Sequence, residues 1–480
     1  MRTLSCLFVF FLSICPIANA QIKLPDLGDP DAATLTLTEE TTLGQALWQK
    51  INLSGAVEEE SILSEYLQGL GHRLSGQASI APMTYTFFLV KDASINAFAL
   101  PGGYIGINEG LLLATKNEDE LASVVAHEIA HVRGRHIARM IHYSDNVGVT
   151  SLLGILAGAV VSAANPLVGS SILTSAMASG QQSLINFTRQ QEKEADNVGL
   201  QIMQKAGFNP KAMAHFFATL LRHNRHHENP AVEYLRTHPL TESRIVSAEQ
   251  RAALFTDEYR FKKSIEFEVA QQILIARGFT SPRQAIAHFS AKVKKAPDDI
   301  PSRCALAHAY LESGKATEAL SVLDRYDDPE HDLSPFPYLI KGQALMNAQQ
   351  GSAAVTLLQQ LHDRWPRQVS VNLTLAKAQL SQSDPKAAIQ LLIPLMKQRP
   401  ENPLIPLTLS QAFAADTNYL QAHLAQAEYQ YLKGFLSDAL LQLEQAKRWA
   451  KEQPAIQEQI EKREQSIKRT IALQSQMGLL

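Results

Sequence analysis

Hydrophobic residues recur every three or four positions over most of this chain, which is the spacing of one buried face of an α-helix. The spacing begins between residues 41 and 76, where it predicts one or two helices. Residues 83–90, 95–100 and 104–107 are instead short apolar runs, separated by turn residues such as Pro101-Gly102-Gly103, which is typical of strands. The pattern predicts an α+β fold that is mostly helical and contains one small sheet.

The predicted sheet has a functional use if one of its edge strands pairs with an extended peptide. Asn96 and Ala97 are the candidates for that edge. A sheet that only covers the core explains the same pattern equally well.

A helix is predicted after the sheet, and it begins with a clear capping pattern. Asn117 is a candidate N-cap, residues 118–120 are acidic, and Glu120 completes a pattern that resembles a capping box. The apolar positions that follow are Leu121, Val124, Val125 and Ile129. The stretch therefore predicts a helix with one face in the core.

This helix contains His127-Glu128-Ile129-Ala130-His131. Residues four apart lie on the same helix face, so both imidazoles can bind one ion, which for this arrangement is most often Zn²⁺. Glu128 lies about 100° around the helix from His127 and is the candidate general base. Two histidines on a helix surface are the structural alternative, but the capped, amphipathic context favours a zinc site.

A catalytic zinc needs a third protein ligand, with water in the fourth position. Glu192, Glu194 and Asp196 lie on a later helical stretch. Glu192 and Asp196 share one helix face, whereas Glu194 lies about 200° away from Glu192. The spacing permits either glutamate as a ligand and favours the pairing of Glu192 with Asp196, in which one binds metal and the other holds a ligand histidine.

Two residues farther on are weaker candidates. His238 precedes Pro239, which holds it in an extended conformation, and Arg244 follows in a predicted helix. An ordinary loop histidine and a solvated arginine explain these positions as well.

Residues 147–177 are apolar and rich in glycine, alanine and serine. Their uninterrupted apolar stretch is shorter than the ~20 residues that span a bilayer. One interpretation is a helical hairpin over the active site that makes peripheral contact with a membrane or a partner. The other is a hairpin buried in the core.

Beyond residue 265 the pattern is helical and repetitive. Alanine-centred motifs place Ala285, Ala319, Ala354, Ala388 and Ala439 at intervals of 34, 35, 34 and 51 residues. A 34-residue period of helix pairs is typical of tetratricopeptide repeats, whose stacking leaves a concave surface that binds peptides or proteins. The longer last interval predicts an extra helix inserted near residues 418–431.

The N-terminus and the composition narrow the compartment and the partners. Arg2, an apolar run and Ala18-Asn19-Ala20 predict a secretory signal over residues 1–20, cleaved near Ala20. Cys304 is then the one cysteine of the mature chain, so disulfides are not expected. A formal net charge of −3 gives no reason to expect a nucleic-acid partner. A bacterial periplasm fits these features best.

Several motifs in one order resemble the zinc metallopeptidases of family M48. They are His127-Glu128-x-x-His131, Glu192-x-x-Ala195-Asp196, and Thr237-His238-Pro239 with Arg244. The resemblance implies one Zn²⁺ per chain, held by His127, His131 and Glu192, with Glu128 as catalytic base. It favours Glu192 over Glu194, and it implies active-site roles for Asp196, His238 and Arg244. His238 or Arg244 would stabilise the oxyanion as a second donor beside zinc, or His238 would instead occupy the fourth zinc position and keep the peptidase inactive.

The resemblance also implies a domain plan and a biological role. We expect a signal peptide (1–20), a zinc metalloprotease domain (21–262) and a tetratricopeptide-repeat domain (263–480). Exported family members with such repeats imply a Gram-negative periplasmic endopeptidase with a chaperone-like role in outer-membrane protein assembly. The implied partners are unfolded or stalled outer-membrane proteins and, through the repeats, the β-barrel assembly machinery. The alternative is mainly a repeat-based chaperone or scaffold, in which proteolysis is secondary.

Overall fold

The computed structural model describes most of the chain in seven ranges. These are residues 36–78, 83–143, 182–224, 232–255, 263–326, 329–330 and 334–476. The predicted signal peptide and the apolar segment 147–177 lie outside the described residues. Within these ranges, no helix combines the length and the apolar character that crossing a membrane requires.

The described residues are mostly helical and form one small sheet, as the sequence predicts. The elements before residue 256 are α1 (Leu37–Leu53), α2 (Ser61–Ser75), β1 (Thr86–Val90), β2 (Ala97–Leu100), β3 (Tyr104–Asn108), α3 (Glu109–Ala114), α4 (Glu118–Arg133), α5 (His136–Tyr143), α6 (Gln182–Lys205), α7 (Lys211–Asn224), α8 (Val232–Thr237) and α9 (Glu242–Ala253). The later helices are α10 (Ile265–Arg277), α11 (Pro282–Lys295), α12 (Ile300–Glu312), α13 (Ala316–Val322), α14 (Phe336–Asn347), α15 (Gly351–Arg364), α16 (Val369–Ser381), α17 (Pro385–Gln398), α18 (Leu404–Ala415), α19 (Tyr419–Lys433), α20 (Leu436–Trp449) and α21 (Pro454–Gln476).

The sheet has the order β1-β3-β2, with β1 parallel and β2 antiparallel to β3. β2 is therefore an edge strand. Two strands are shorter than predicted: β1 begins at Thr86 rather than Met83, and β2 at Ala97 rather than Ile95. β3 is one residue longer than predicted and ends at Asn108. The partner strand sets the start of β1, because β3 begins at Tyr104, opposite Thr86. The start of β2 has no such cause, because β3 continues to Asn108, whose N–H donates to the Asn96 carbonyl (3.0 Å).

Helix α4 lies at the centre of the peptidase region, where it packs against α2, α6 and α7. Its apolar face is fully buried, including Leu121, Val125 and Ile129. Each such side chain contributes about 1.5–3 kcal/mol through burial. The helix is therefore held rigidly from several sides, which fixes the direction of the polar residues that it carries.

The described residues up to Thr374 form one compact unit, and those from Leu375 form another. Helix α10 belongs to the same unit as α4. Ser264, its N-cap, donates to the Glu118 carboxylate (2.8 Å), and Gln271 donates to the Leu112 and Thr115 carbonyls (3.1 and 2.9 Å). Arg277 lies 2.7 Å from Glu58. The boundary expected between residues 262 and 263 stays a prediction.

The repeat alanines are buried, as close packing of paired helices requires. Ala285, Ala319, Ala354, Ala388 and Ala439 are at most 1% exposed. A helix does occupy the region where an inserted one was expected, namely α19, but the insertion itself is wrong. Ala422 of α19 is buried and follows Ala388 by 422 − 388 = 34 residues, so α19 continues the period. Ala439 lies on the next helix, and this produces the longer interval.

Candidate metal centre

The start of α4 is fixed by side-chain caps. The Asn117 side chain accepts from the Glu120 backbone N–H (3.0 Å). The Glu120 carboxylate accepts from Lys116 N–H (2.9 Å) rather than from Asn117, so the capping-box-like pattern closes one residue earlier than expected. The cap and the buried apolar face together place His127 and His131 on the face toward α6.

His127 and His131 converge through their Nε2 atoms, which lie 3.0 Å apart. The Glu192 carboxylate of α6 lies beside both, 3.4 Å from His127 Nε2 and 3.3 Å from His131 Nε2. His238, in the turn after α8, brings its Nδ1 to 3.1 Å from Glu192. The four ligand atoms lie within 4.8 Å of one another.

This cluster fits a divalent metal ion. Ligands about 2.0–2.1 Å from one tetrahedral ion lie roughly 3.3 Å from each other. The separations of 3.0–3.4 Å between His127, His131 and Glu192 match that requirement. Imidazole nitrogens with one carboxylate oxygen are also a donor set that transition metals accept.

Asp196 and Arg244 contact the ligand residues on the side away from the centre of the cluster. Asp196 lies one turn after Glu192 on α6, and its Oδ1 is 3.0 Å from His127 Nδ1. Arg244 donates to both Asp196 oxygens (2.8 Å each), lies 2.8 Å from Glu192, and donates to the Pro239 carbonyl (3.0 Å). One buried guanidinium therefore joins α9, both acidic side chains and the turn that carries His238.

Glu128 occupies a different position from the ligands. It is 1% exposed, and its Oε1 accepts no hydrogen bond within the described structure. His238 Nε2 lies 3.5 Å from that oxygen. Burial raises the pKa of Glu128, which makes it a better proton acceptor than a solvated glutamate.

Electrostatics in the cluster favour a cation. Burial lowers the pKa of His127, but the Asp196 and Glu192 carboxylates outweigh this and raise it to about 10. Burial lowers the pKa of His131 to about 4, despite Glu192. Burial would raise the pKa of Glu192, but the neighbouring histidines hold it well below its usual range. The carboxylates that attract a proton to His127 attract a metal ion in the same way.

Tyr234 positions His238 through its ring and its backbone carbonyl. Its ring stacks on Tyr234, with centroids 4.7 Å apart, and its backbone N–H donates to the Tyr234 carbonyl (2.8 Å). Arg244 lies 5.2 Å from the Phe217 ring centroid, within cation–π range.

The structure thus brings together seven of the residues named from the sequence: His127, Glu128, His131, Glu192, Asp196, His238 and Arg244. It directs Glu194 elsewhere, toward Arg139 (3.1 Å). Sequence reasoning missed His136, which is buried against His131 with Nδ1–Nδ1 2.8 Å. The available signal was a third histidine five residues after His131.

Comparison with known proteins decides the family. The family model described as Peptidase family M48 matches residues 61–252. The Beta-barrel assembly-enhancing protease of Yersinia pestis is 30% identical over 430 residues, which cover 88% of this chain and 86% of the relative. This chain belongs to peptidase family M48. It is therefore a metalloendopeptidase.

Other relatives agree with this assignment. A Vibrio cholerae relative is 34% identical over 330 residues, covering 68% of this chain and 66% of its own length. The Escherichia coli Beta-barrel assembly-enhancing protease is 29% identical over 442 residues, covering 89% and 88%. An M48 peptidase needs a metal ion, and the cluster of His127, His131, Glu192 and His238 offers it a site.

Proposed function

We propose that this M48 peptidase is a periplasmic zinc endopeptidase that degrades misassembled outer-membrane β-barrel proteins and assists their assembly. The observation that carries the proposal is the spacing of the three ligands around one point, with the unbonded Glu128 oxygen beside them. The names of the relatives support the substrate class. The signal-like N-terminal sequence supports the compartment.

In this proposal His127, His131 and Glu192 hold one zinc ion. When bound, zinc supplies a Lewis acid that polarises the scissile carbonyl and lowers the pKa of water at the site toward ~7. Glu128 removes a proton from the attacking water and later delivers it to the leaving amine. Asp196 orients His127, and Arg244 holds Asp196 and Glu192 in place.

We assign His238 to the fourth zinc position of the inactive enzyme. Its Nδ1 lies 3.3 Å from His127 Nε2 and 3.1 Å from Glu192, which are ligand-to-ligand separations. Because it also lies beside Glu128, it occupies the space that water and a substrate carbonyl need. A substrate would displace it, after which its imidazole could stabilise the oxyanion.

The edge strand β2 is the proposed place where an extended substrate pairs. The Ala97 N–H is already engaged by the Asn96 side chain (3.0 Å). The Asn108 N–H donates to the Asn96 carbonyl, so the alternation of an antiparallel pair directs the backbone groups of Phe98 and Leu100 toward β3 and those of Ala97 and Ala99 toward the open edge. The Ala97 carbonyl and the backbone groups of Ala99 are therefore the proposed pairing positions. The repeats from residue 263 are the proposed contact with the β-barrel assembly machinery, since tetratricopeptide arrays bind protein segments.

Metal analysis and a peptidase assay on wild type and Glu128→Gln test the proposal together. We expect one zinc per chain in both, and a loss of casein and unfolded-β-barrel cleavage of at least about 100-fold in the variant. Glu249→Gln, an exposed change on α9, serves as the control and should cleave normally. A zinc-free wild type that cleaves equally well would overturn the proposal. If Glu128→Gln cleaves nothing and yet fully supports barrel assembly, the scaffold function is the main one.

A further inference from the structure

His131 needs a partner for the ring nitrogen that faces away from the cluster. Its Nε2 points at the other ligand atoms, 3.0 Å from His127 Nε2 and 3.3 Å from Glu192. A neutral imidazole that binds metal through Nε2 carries its proton on Nδ1. That N–H requires an acceptor, since the side chain is largely buried.

The partner is a second histidine. His136 Nδ1 lies 2.8 Å from His131 Nδ1, and the two rings are nearly perpendicular, at 86°. Two nitrogens at this distance share one proton, so the His136 nitrogen accepts and its own proton lies on Nε2. His136 Nε2 makes no hydrogen bond within the described structure; the Glu194 carboxylate lies 3.6 Å from it, and Arg139 lies 3.1 Å from that carboxylate.

We propose that His136 is a positioning residue for the metal centre, which fixes the tautomer and the ring orientation of His131. The hydrogen bond that carries this role joins His131 Nδ1 and His136 Nδ1. This inference rests on the proposed role of His131 as a zinc ligand.

Two further contacts hold His136 in place. The Gln191 side chain donates to the His136 carbonyl (3.0 Å), so the helix that supplies Glu192 also fixes the His136 backbone. Gly134 lies under the ring, and a Cβ at that position would come within 2.4 Å of His136 Nε2. Its φ of −76° is ordinary, so the glycine serves the ring and not the backbone.

The two ligand histidines are therefore supported in different ways. His127 has a carboxylate, Asp196, at 3.0 Å from its outer nitrogen. His131 has a neutral imidazole, with its carboxylate one step farther away. A carboxylate makes a ligand imidazole a stronger donor, so the structure assigns the stronger zinc bond to His127 and makes His131 more dependent on orientation.

Zinc affinity of the full chain, measured by competition with a chromophoric chelator, tests the inference through a matched pair of variants. His136→Phe keeps the ring volume but removes the acceptor, and we expect zinc to bind about 10–100-fold more weakly. His136→Asn leaves a cavity but places an amide oxygen near the lost Nδ1, and we expect an affinity within about threefold of wild type. A purely structural role predicts the reverse order, and that result would overturn the inference.

Two measurements keep the test decisive if His136→Phe fails to fold. Gly134→Ala should weaken zinc binding by displacing the ring, although it removes no polar atom. In zinc-free wild type, ¹⁵N NMR should already show His131 with its proton on Nδ1, and a proton on Nε2 would contradict the inference. If wild type binds no Zn²⁺, the proposed function fails together with this inference. If wild type binds Zn²⁺ and His136→Phe binds it equally well, this inference alone fails.

Discussion

Arg244 binds Asp196 through two parallel hydrogen bonds of 2.8 Å, and the same guanidinium lies 2.8 Å from Glu192. Lysine cannot reproduce this fork, because its ammonium is a single point donor. We expect Arg244→Lys to lower peptidase activity at least tenfold, since His127 and Glu192 both lose their fixed orientation. Arg251→Lys is the matched control, because Arg251 is exposed on the same helix. Equal activity in both variants would contradict a role for this fork.

Removal of His238 should raise proteolysis if it blocks the site. We expect His238→Ala to cleave unfolded substrate severalfold faster than wild type, with the zinc content retained. His215→Ala, at an exposed position of α7, should change neither quantity. Slower cleavage with unchanged zinc affinity would instead show that His238 acts mainly on the oxyanion.

Chelation should destabilise the fold as well as abolish cleavage. An ion that binds only the folded state stabilises it by about 2.7 kcal/mol at 100 times its Kd. We expect EDTA to lower the Tm of wild type and of Glu128→Gln by the same amount, because Glu128 is not a ligand. Glu192→Gln should lose most of this zinc-dependent shift. Scanning fluorimetry with and without Zn²⁺ measures all three, and a zinc-dependent Tm that Glu192→Gln retains would remove Glu192 from the ligand set.

Stability should depend on pH at the contact between α3 and α10. Burial and the neighbouring Glu58 carboxylate raise the pKa of Glu109 to about 7, although Arg277 opposes them. A carboxyl whose pKa is raised by folding stabilises the protein while it is protonated. Its contribution is present below about pH 4.5 and is lost as pH rises through 7.

Glu109→Gln removes that dependence. We expect the Tm of wild type to fall relative to that of the variant between pH 5 and pH 8. Glu249→Gln, whose side chain is exposed, should follow wild type throughout. A constant difference between wild type and Glu109→Gln over this range would contradict the shifted titration.

Local sequence patterns were enough to predict helix α4, with its two histidines on one face, and the 34-residue period of the repeats. Helical spacing places His127 and His131 on one face, and the buried alanines follow from close packing of helix pairs. Strand limits could not be predicted, because β1 extends only as far as its partner β3. The environment of Glu194 and the contact of His136 with His131 depend on how α4, α5 and α6 meet, which no local pattern contains.

Helix α10 packs against the residues around the start of α4, and this determines where the chain can be cut to isolate the peptidase region. A fragment that ends at residue 262 would leave the Leu112 and Thr115 carbonyls without Gln271, Glu118 without Ser264, and the buried Tyr66 ring without its edge contact to Phe267. The Glu118 contact lies in the first turn of the helix that carries His127, and the other losses fall on α2 and at the end of α3. The excised peptidase would lack one wall of its own core, so its activity would depend on residues that belong, by sequence, to the repeats.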